Sequence, residues 1–469
     1  MYIQNLINFA KIYNMKIKQN INIVILSLIA VFLLSGCRKN DISNDSGNIV
    51  ANGPLCFTAE EPGASIGMFF NTMYGWIFDT VTKPNIEYSF DKVNWETLTI
   101  SSISKDTTNS IVLENVGDKV YFRGENPHGL NPNYYDDMES CFSFLTNEKR
   151  IAISGNVMSL IDTTCNSKTA PDYCFIKLFD YTSITSAPEL PATTVGKRSY
   201  QGMFLSCKNL ADAPKLPAKT LSECCYLSMF AYCSGLTTAP KLPATTLAYG
   251  CYSSMFYYCN NLVKAPDLPA TTMAESCYSG MFFGCVSLTT PPALPATTLA
   301  AGCYALMFES CPSLTYAPEL PATTLAEHCY EEMFTWCGNL TSAPELPATV
   351  LAESCYCRMF QGCTHLTTAP ALPATTLAVD CYLAMFNWCW GLTSAPELPA
   401  SVLPDFCYAG MFSRCANITS VKVHFTEWSY ATNGWFAEVG TNGIFYCPAS
   451  LPQEFGESRI PEGWTVETF

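Results

Sequence analysis

Twenty-five cysteines in a chain of 469 residues are the first chemistry on offer. A thiolate can bind zinc, attack a carbonyl or pair as a disulfide, and each use demands its own spacing. Here the thiols recur in pairs eight residues apart, as in Cys251 with Cys259 and Cys329 with Cys337. Along one helix that separation is about 12 Å, beyond the roughly 7 Å a disulfide spans, and equivalent cysteines on neighbouring helices would lie about 8 to 10 Å apart. CxxC zinc pairs are absent, and the nearest clusters, Cys224-Cys225 and Cys355-Tyr356-Cys357, lack a matching partner pair. No metal or other cofactor is expected. The repeat cysteines read as small, buried apolar residues, which confines disulfides to the irregular set Cys56, Cys141, Cys165 and Cys447.

The remaining candidates are few. His128, His328, His365 and His424 are scattered and read as solvated or packed side chains. Asp136, Asp137 and Glu139 in "YYDDMES" could hold Ca²⁺ or act as a carboxylate pair, although loop solvation accounts for them more simply. No glycine-rich phosphate loop, nucleophile elbow or zincin motif is present, so an enzyme is not expected. A net charge of −15 and a pI near 4.7 argue against nucleic acid, whose phosphates need a basic face.

The elements that carry these residues are written as a repeat. Leu-Pro-Ala recurs at Leu190, Leu216, Leu242, Leu268, Leu294, Leu320, Leu346, Leu372 and Leu398, always 26 residues on. Such a period points to a leucine-rich-repeat solenoid. Within one copy Leu247, Cys251, Met255 and Cys259 fall at i, i+4, i+8 and i+12, with Tyr252 and Phe256 widening the stripe, and this predicts a helix of about three turns. Thr220 with Glu223, Thr272 with Glu275 and Thr324 with Glu327 fit a capping box at its start. The segment "LTSAPELPA" should be extended, with Leu340, Ala343 and Leu346 inward. Its two prolines limit pairing to two to four residues near "LTS". One copy buries too few apolar side chains to offset the entropy of ordering 26 residues, so each copy must lean on a copy of itself. Strands at about 4.8 Å and helices at about 8 to 10 Å would bow the stack with the strands inside.

Two repeat positions could carry recognition. The second residue after each Met-Phe reads Ser206, Tyr232, Tyr258, Gly284, Ser310, Trp336, Gly362, Trp388 and Arg414. Tyr232, Tyr258, Trp336 and Trp388 are candidate ligand-binding residues, because aromatic faces stack on sugars and anchor protein interfaces, while the plainer role is to shield the helix ends. The residue after each Ala-Pro drifts from mixed to acidic along the stack, from Glu189, Lys215 and Lys241 to Glu319, Glu345 and Glu397. It reads as a solvated edge that could orient a basic partner.

The ends differ. Residues 1–37 read as a signal segment: Lys16 and Lys18 precede an apolar run from Ile21 to Leu34, and Met15 could be the start. Its end, Leu34-Ser35-Gly36-Cys37, resembles the bacterial lipobox, which implies acylation of Cys37 and a membrane contact through lipid. Residues 38–53 have the composition of a flexible tether. Residues 54–156 lose the repeat and show period-two runs such as "IEYSFDKVNWETLTI", "NSIVLENV" and "DKVYFRG", as expected of a small antiparallel β-sandwich. Residues 157–420 hold the repeats, and 421–469, with Trp428, Trp435 and Trp464, should cap them. The fold class read from all this is an α/β leucine-rich-repeat solenoid, curved, with 26-residue repeats, preceded by a small all-β sandwich-like domain.

The pattern Met-Phe-x-x-Cys-x-x-Leu-Thr before a proline-ended strand, as at Met229-Phe230 with Cys233 and Leu236 or Met281-Phe282 with Cys285 and Leu288, resembles the BspA-like leucine-rich-repeat surface proteins of anaerobic Gram-negative bacteria. The resemblance covers about residues 174–420. It implies adhesion to host or bacterial proteins or to glycans, and an immunoglobulin-like domain ahead of the repeats. The expectation is therefore an outer-membrane lipoprotein, lipid-anchored and facing the cell surface, that binds an extracellular protein. The alternatives are a glycan-binding accessory lipoprotein and, more remotely, a hydrolase.

Overall fold

The computed structural model describes residues 53–71, 81–101, 109–131 and 140–469. Cys37 and the cluster Asp136, Asp137 and Glu139 lie outside the described residues. The chain divides into a unit ending at Val50 and a second one from Ala51 onward, which is the one described here.

The period-two runs near the start are strands. β1 (Leu55–Ala59), β3 (Ile86–Ser89), β4 (Glu96–Thr97), β6 (Lys119–Gly124) and β8 (Ile151–Ser154) form one antiparallel sheet in the order β4-β3-β6-β1-β8. β2 (Ala64–Asn71), β5 (Ile111–Leu113) and β7 (Cys141–Thr146) form another in the order β5-β2-β7. Alternation sets the buried side: in β6, Val120 and Phe122 are enclosed while Lys119 is in water. Phe57 of β1 and Phe122 of β6 meet Phe144 of β7 at 5.0 and 5.1 Å, which holds the apolar faces of the two sheets together.

The repeats grow directly out of this pair of sheets. Ile151 in β8 bridges Ile184, and Asn156 bridges Glu189, both in parallel. The Phe144 ring stacks on Phe179 of the first coil at 5.7 Å, and one hydrophobic cluster runs unbroken from Leu55 to Trp464. From there each 26-residue copy is one coil lying in register on the next. A parallel bridge column joins Asp212, Thr238, Lys264 and Thr290, one paired residue in each of these segments where the pattern implies two to four. A second column runs through the Thr-Thr segment, as in Thr220 with Thr246 and Thr298 with Thr324. Leu340 and Leu346 are buried and Ala343 is partly so, as their pattern implied.

The helix expected in each copy is not formed, and the described residues contain no α-helix. In its place runs a ribbon of turns. Every fourth residue has a left-handed backbone, for example Gly250 (φ 56°), Ser254 (φ 53°) and Tyr258 (φ 54°). Amide donors then alternate. Cys251, Ser253, Met255 and Tyr257 bond within the coil, three residues back, while Tyr252, Ser254, Phe256 and Tyr258 bond to Cys277, Ser279, Met281 and Phe283 of the next coil at 2.7–3.0 Å. A helix satisfies its amides inside itself; this ribbon sends half of them to its neighbour. Each left-handed non-glycine residue costs roughly 1–2 kcal/mol, which those intercoil bonds must offset. Of the threonines read as helix caps, Thr220 and Thr324 instead serve the second bridge column.

Flat ribbons also approach more closely than helices. Tyrosine rings stack from Tyr200 to Tyr408 at 5.7–6.0 Å. Phenylalanine rings stack from Phe179 to Phe412 at 5.5–5.7 Å. The turn side is therefore only a little wider than the strand separation of about 4.8 Å, which weakens the packing reason for a pronounced bow. Beyond residue 420 the parallel register continues through β9 (Ser420–Lys422), β10 (Ile444–Cys447) and β11 (Thr465–Thr468). The steps there shorten, from Ser420 to Ile444 and from Ile444 to Thr465.

Candidate functional site

The four aromatic candidates all occupy the third left-handed position of their ribbon, with φ of 61° at Tyr232, 54° at Tyr258, 60° at Trp336 and 65° at Trp388. Each ring leans over the following coil. Tyr232 stacks on Tyr258 at 5.4 Å with planes 3° apart. A Cβ added at Gly284 would collide with the Tyr258 ring, and one at Gly362 with the Trp336 ring. The Arg414 guanidinium lies 4.2 Å from the Trp388 ring centre. Glycine, a second ring or arginine thus follows each large ring, because only these accept a flat neighbour at one coil's distance.

Packing does not cover the row completely. Tyr232 and Trp336 remain 44% and 46% exposed, whereas Tyr258 and Trp388 are half-buried. The structure brings Tyr232 and Tyr258 together. It leaves Trp336 and Trp388 apart, two coils from one another with Gly362 between.

Three neighbours escaped the sequence reading. Tyr257 and Phe283, one position earlier in their coils, stack at 4.7 Å, and Tyr257 meets Tyr232 and Tyr258 edge-on at 5.5 and 4.8 Å, making a cluster of four rings. Trp390 is 49% exposed and stands 5.8 Å from Trp388. The next residue of the Tyr257 row is Glu309. Burial, reinforced by repulsion from and proton sharing with Glu332, raises its carboxyl to about 8, so it is largely protonated at neutral pH. Glu332 is in turn held by Arg358 at 2.9 Å. The row directly after Met-Phe, reading Tyr257, Phe283 and Glu309, is the signal in the sequence that marks these neighbours.

The described thiols and the imidazoles of His328, His365 and His424 are engaged in packing and hydrogen bonds. The second cysteine of each coil donates its S–H to the phenylalanine carbonyl of the preceding coil: Cys233 to Phe204, Cys259 to Phe230, Cys285 to Phe256, and so on to Cys415 with Phe386, at 2.9–3.2 Å. Burial pushes Cys285 and Cys337 up to about 12, so these thiols are protonated donors and not nucleophiles. Cys56, Cys141, Cys165 and Cys447 are thiols too, and no disulfide joins them. His328 is tied to Glu331, His365 to the Gly338 carbonyl and His424 to Glu397, on separate coils, while His128 is exposed. Among the described residues no three His, Cys, Asp or Glu side chains converge as metal ligands.

The strand side offers an open groove of about 480 Å³ bounded by Thr238, Pro240, Lys241, Lys264, Pro266 and Asp267. The residues that follow Ala-Pro are exposed in every coil from Glu189 to Glu397. At the end of the row Glu397 holds Lys422 at 2.9 Å and His424 at 2.6 Å.

Comparison with known proteins returns little. No protein-family model matches the chain, and no curated protein does. Among solved structures, a leucine-rich repeat protein from Bacteroides ovatus aligns over 83% of this chain and 99% of its own, at 14% identity and a TM-score of 0.26. A likeness at that level leaves function to be read from this chain's own residues.

Proposed function

We propose that this chain is a non-catalytic recognition scaffold, anchored through a lipid on Cys37 at the bacterial surface, and that it binds an extracellular protein through the turn side of its coils. The supporting observation is the row in which Tyr232 and Trp336 keep nearly half their surface in water while fixed by coil-to-coil packing. Rigid, half-exposed rings are the side chains that anchor interfaces at small entropic cost. The buried, protonated thiols and the dispersed histidines support a binding role over hydrolysis. The resemblance to BspA-like surface proteins supports the adhesive reading.

One observation favours glycans as the ligand instead. The four-ring cluster of Tyr232, Tyr257, Tyr258 and Phe283 lies next to the half-buried Glu309 carboxyl, an apolar platform with a polar group at its edge, as a pyranose ring requires. Panels of glycans and of immobilised matrix proteins, probed with the protein from Ala51 onward, separate the two. Tyr232→Ala/Trp336→Ala should abolish the binding found, by tenfold or more, while Trp388→Ala should lower stability and leave affinity alone. Undiminished affinity in the Tyr232/Trp336 variant would reduce the row to packing.

A further inference from the structure

The strand side of the coil stack carries charges that no ion pair engages among the described residues. The exposed row is basic at Lys215 and Lys241 and acidic at Glu319 and Glu345, with Asp267 and Ala293 between. Among the described residues none of these two lysines and two glutamates has an ion-pair partner, unlike Glu397 at the row's end. All four are held on one ruler, because the coils repeat in register through the stacked rings from Tyr226 to Tyr356.

We propose that this face is a two-fold interface between two copies of the chain. A two-fold axis along the strand direction, passing between the coils of Asp267 and Ala293, reverses the order of coils and keeps each residue in its row. It sets Lys215 opposite Glu345 and Lys241 opposite Glu319, each pair occurring twice, and it sets Asp267 opposite Ala293. The register is singled out by repulsion as much as by attraction. A slip of one coil in one direction puts Glu189 against Glu345, and in the other it puts Asp267 against Glu319.

The same operation supplies an anchor. Tyr316, 47% exposed, belongs to the row of Thr238 and lands opposite it, over the groove bounded by Thr238, Pro240 and Lys241. An exposed tyrosine entering a proline-lined groove is the arrangement from which interface affinity usually comes, with the rim charges setting orientation and rate. Eight coils at about 4.8 Å and about six residues across at 3.3 Å give roughly 750 Å² per copy, enough for a specific dimer. The aromatic row on the other side of each coil stays free.

Sedimentation of the protein from Ala51 onward tests this. The expected result is a dimer at about 100 µM protein in low salt that weakens at least tenfold in about 0.5 M salt. Lys215→Glu/Lys241→Glu and Glu319→Lys/Glu345→Lys should each be monomeric, yet an equimolar mixture should dimerise, since every opposed pair is then restored. Tyr316→Ala should weaken the wild-type dimer about tenfold or more. A wild-type chain that stays monomeric, a mixture that fails to pair, or a dimer that either charge swap leaves intact would overturn the proposal. Capture of an acidic polymer by Lys241 and Lys264 on a monomer would do so as well.

Discussion

At Cys285 the thiol lies between two coils and gives its hydrogen to the Phe256 carbonyl at 3.1 Å, an oxygen that already accepts the Cys259 amide at 3.0 Å. Alanine there would leave a small void and remove one donor, and Cys285→Ala should cost about 1–3 kcal/mol, read as a lower midpoint in denaturant. Asp180 is a different kind of buried residue. It sits where the sheets meet the first coil, only 7% exposed, and burial lifts its carboxyl to about 7 against the pull of Lys177 and Ser143. Between about pH 4 and 7 the folded chain therefore keeps a proton that the unfolded chain has lost. Stability should fall as pH rises through that window and level off above it. Asp180→Asn should flatten the slope and raise stability at pH 8 by roughly 2–4 kcal/mol, measured by thermal unfolding across pH.

The ribbon of turns is the element that the sequence hid. Buried pairs such as Cys251-Tyr252 and Met255-Phe256 return every four residues, whereas a helical stripe returns every 3.6 and drifts by about 40° per step. Over three steps the drift is about 120°, so a strict fourfold spacing was itself the sign against a helix. Glycine and serine at the left-handed positions, as in Gly250, Ser254, Ser276, Gly280 and Gly284, pointed the same way, being poor helix formers. Far-UV circular dichroism should accordingly lack the helical double minimum. Leu306 holds a φ of 60°, so Leu306→Val should cost about 1–2 kcal/mol while Leu306→Gly should be neutral or stabilising. The strands near the start were legible because alternation in "DKVYFRG" depends on one strand and one covered face, and nothing else competes for that pattern.

At the scale of the whole molecule the stack behaves as a one-dimensional array. Removing residues 273–298, one full period, would bring Tyr252 against Tyr304 and Phe256 against Phe308, pairs chemically identical to those lost. That deletion should fold and unfold cooperatively, while deletions of one residue more or fewer should yield insoluble protein, because every ring and amide beyond the cut would miss its partner. The repeat period, the inward leucines and the thiol rows could all be read from Leu190 to Leu398, since identical copies pack on themselves. The recognition rows could be read only in part: exposure at Trp336 and shielding at Trp388 depend on whether glycine or arginine follows one coil later.

The bridge from Ile151 to Ile184 gives construction a direction. A polypeptide delivered with its amino end first completes the antiparallel platform before any coil arrives, and every later coil then finds a finished edge to settle on. Assembly can keep pace with delivery, hiding each batch of thiols and aromatic rings as it emerges, without waiting for the carboxyl end.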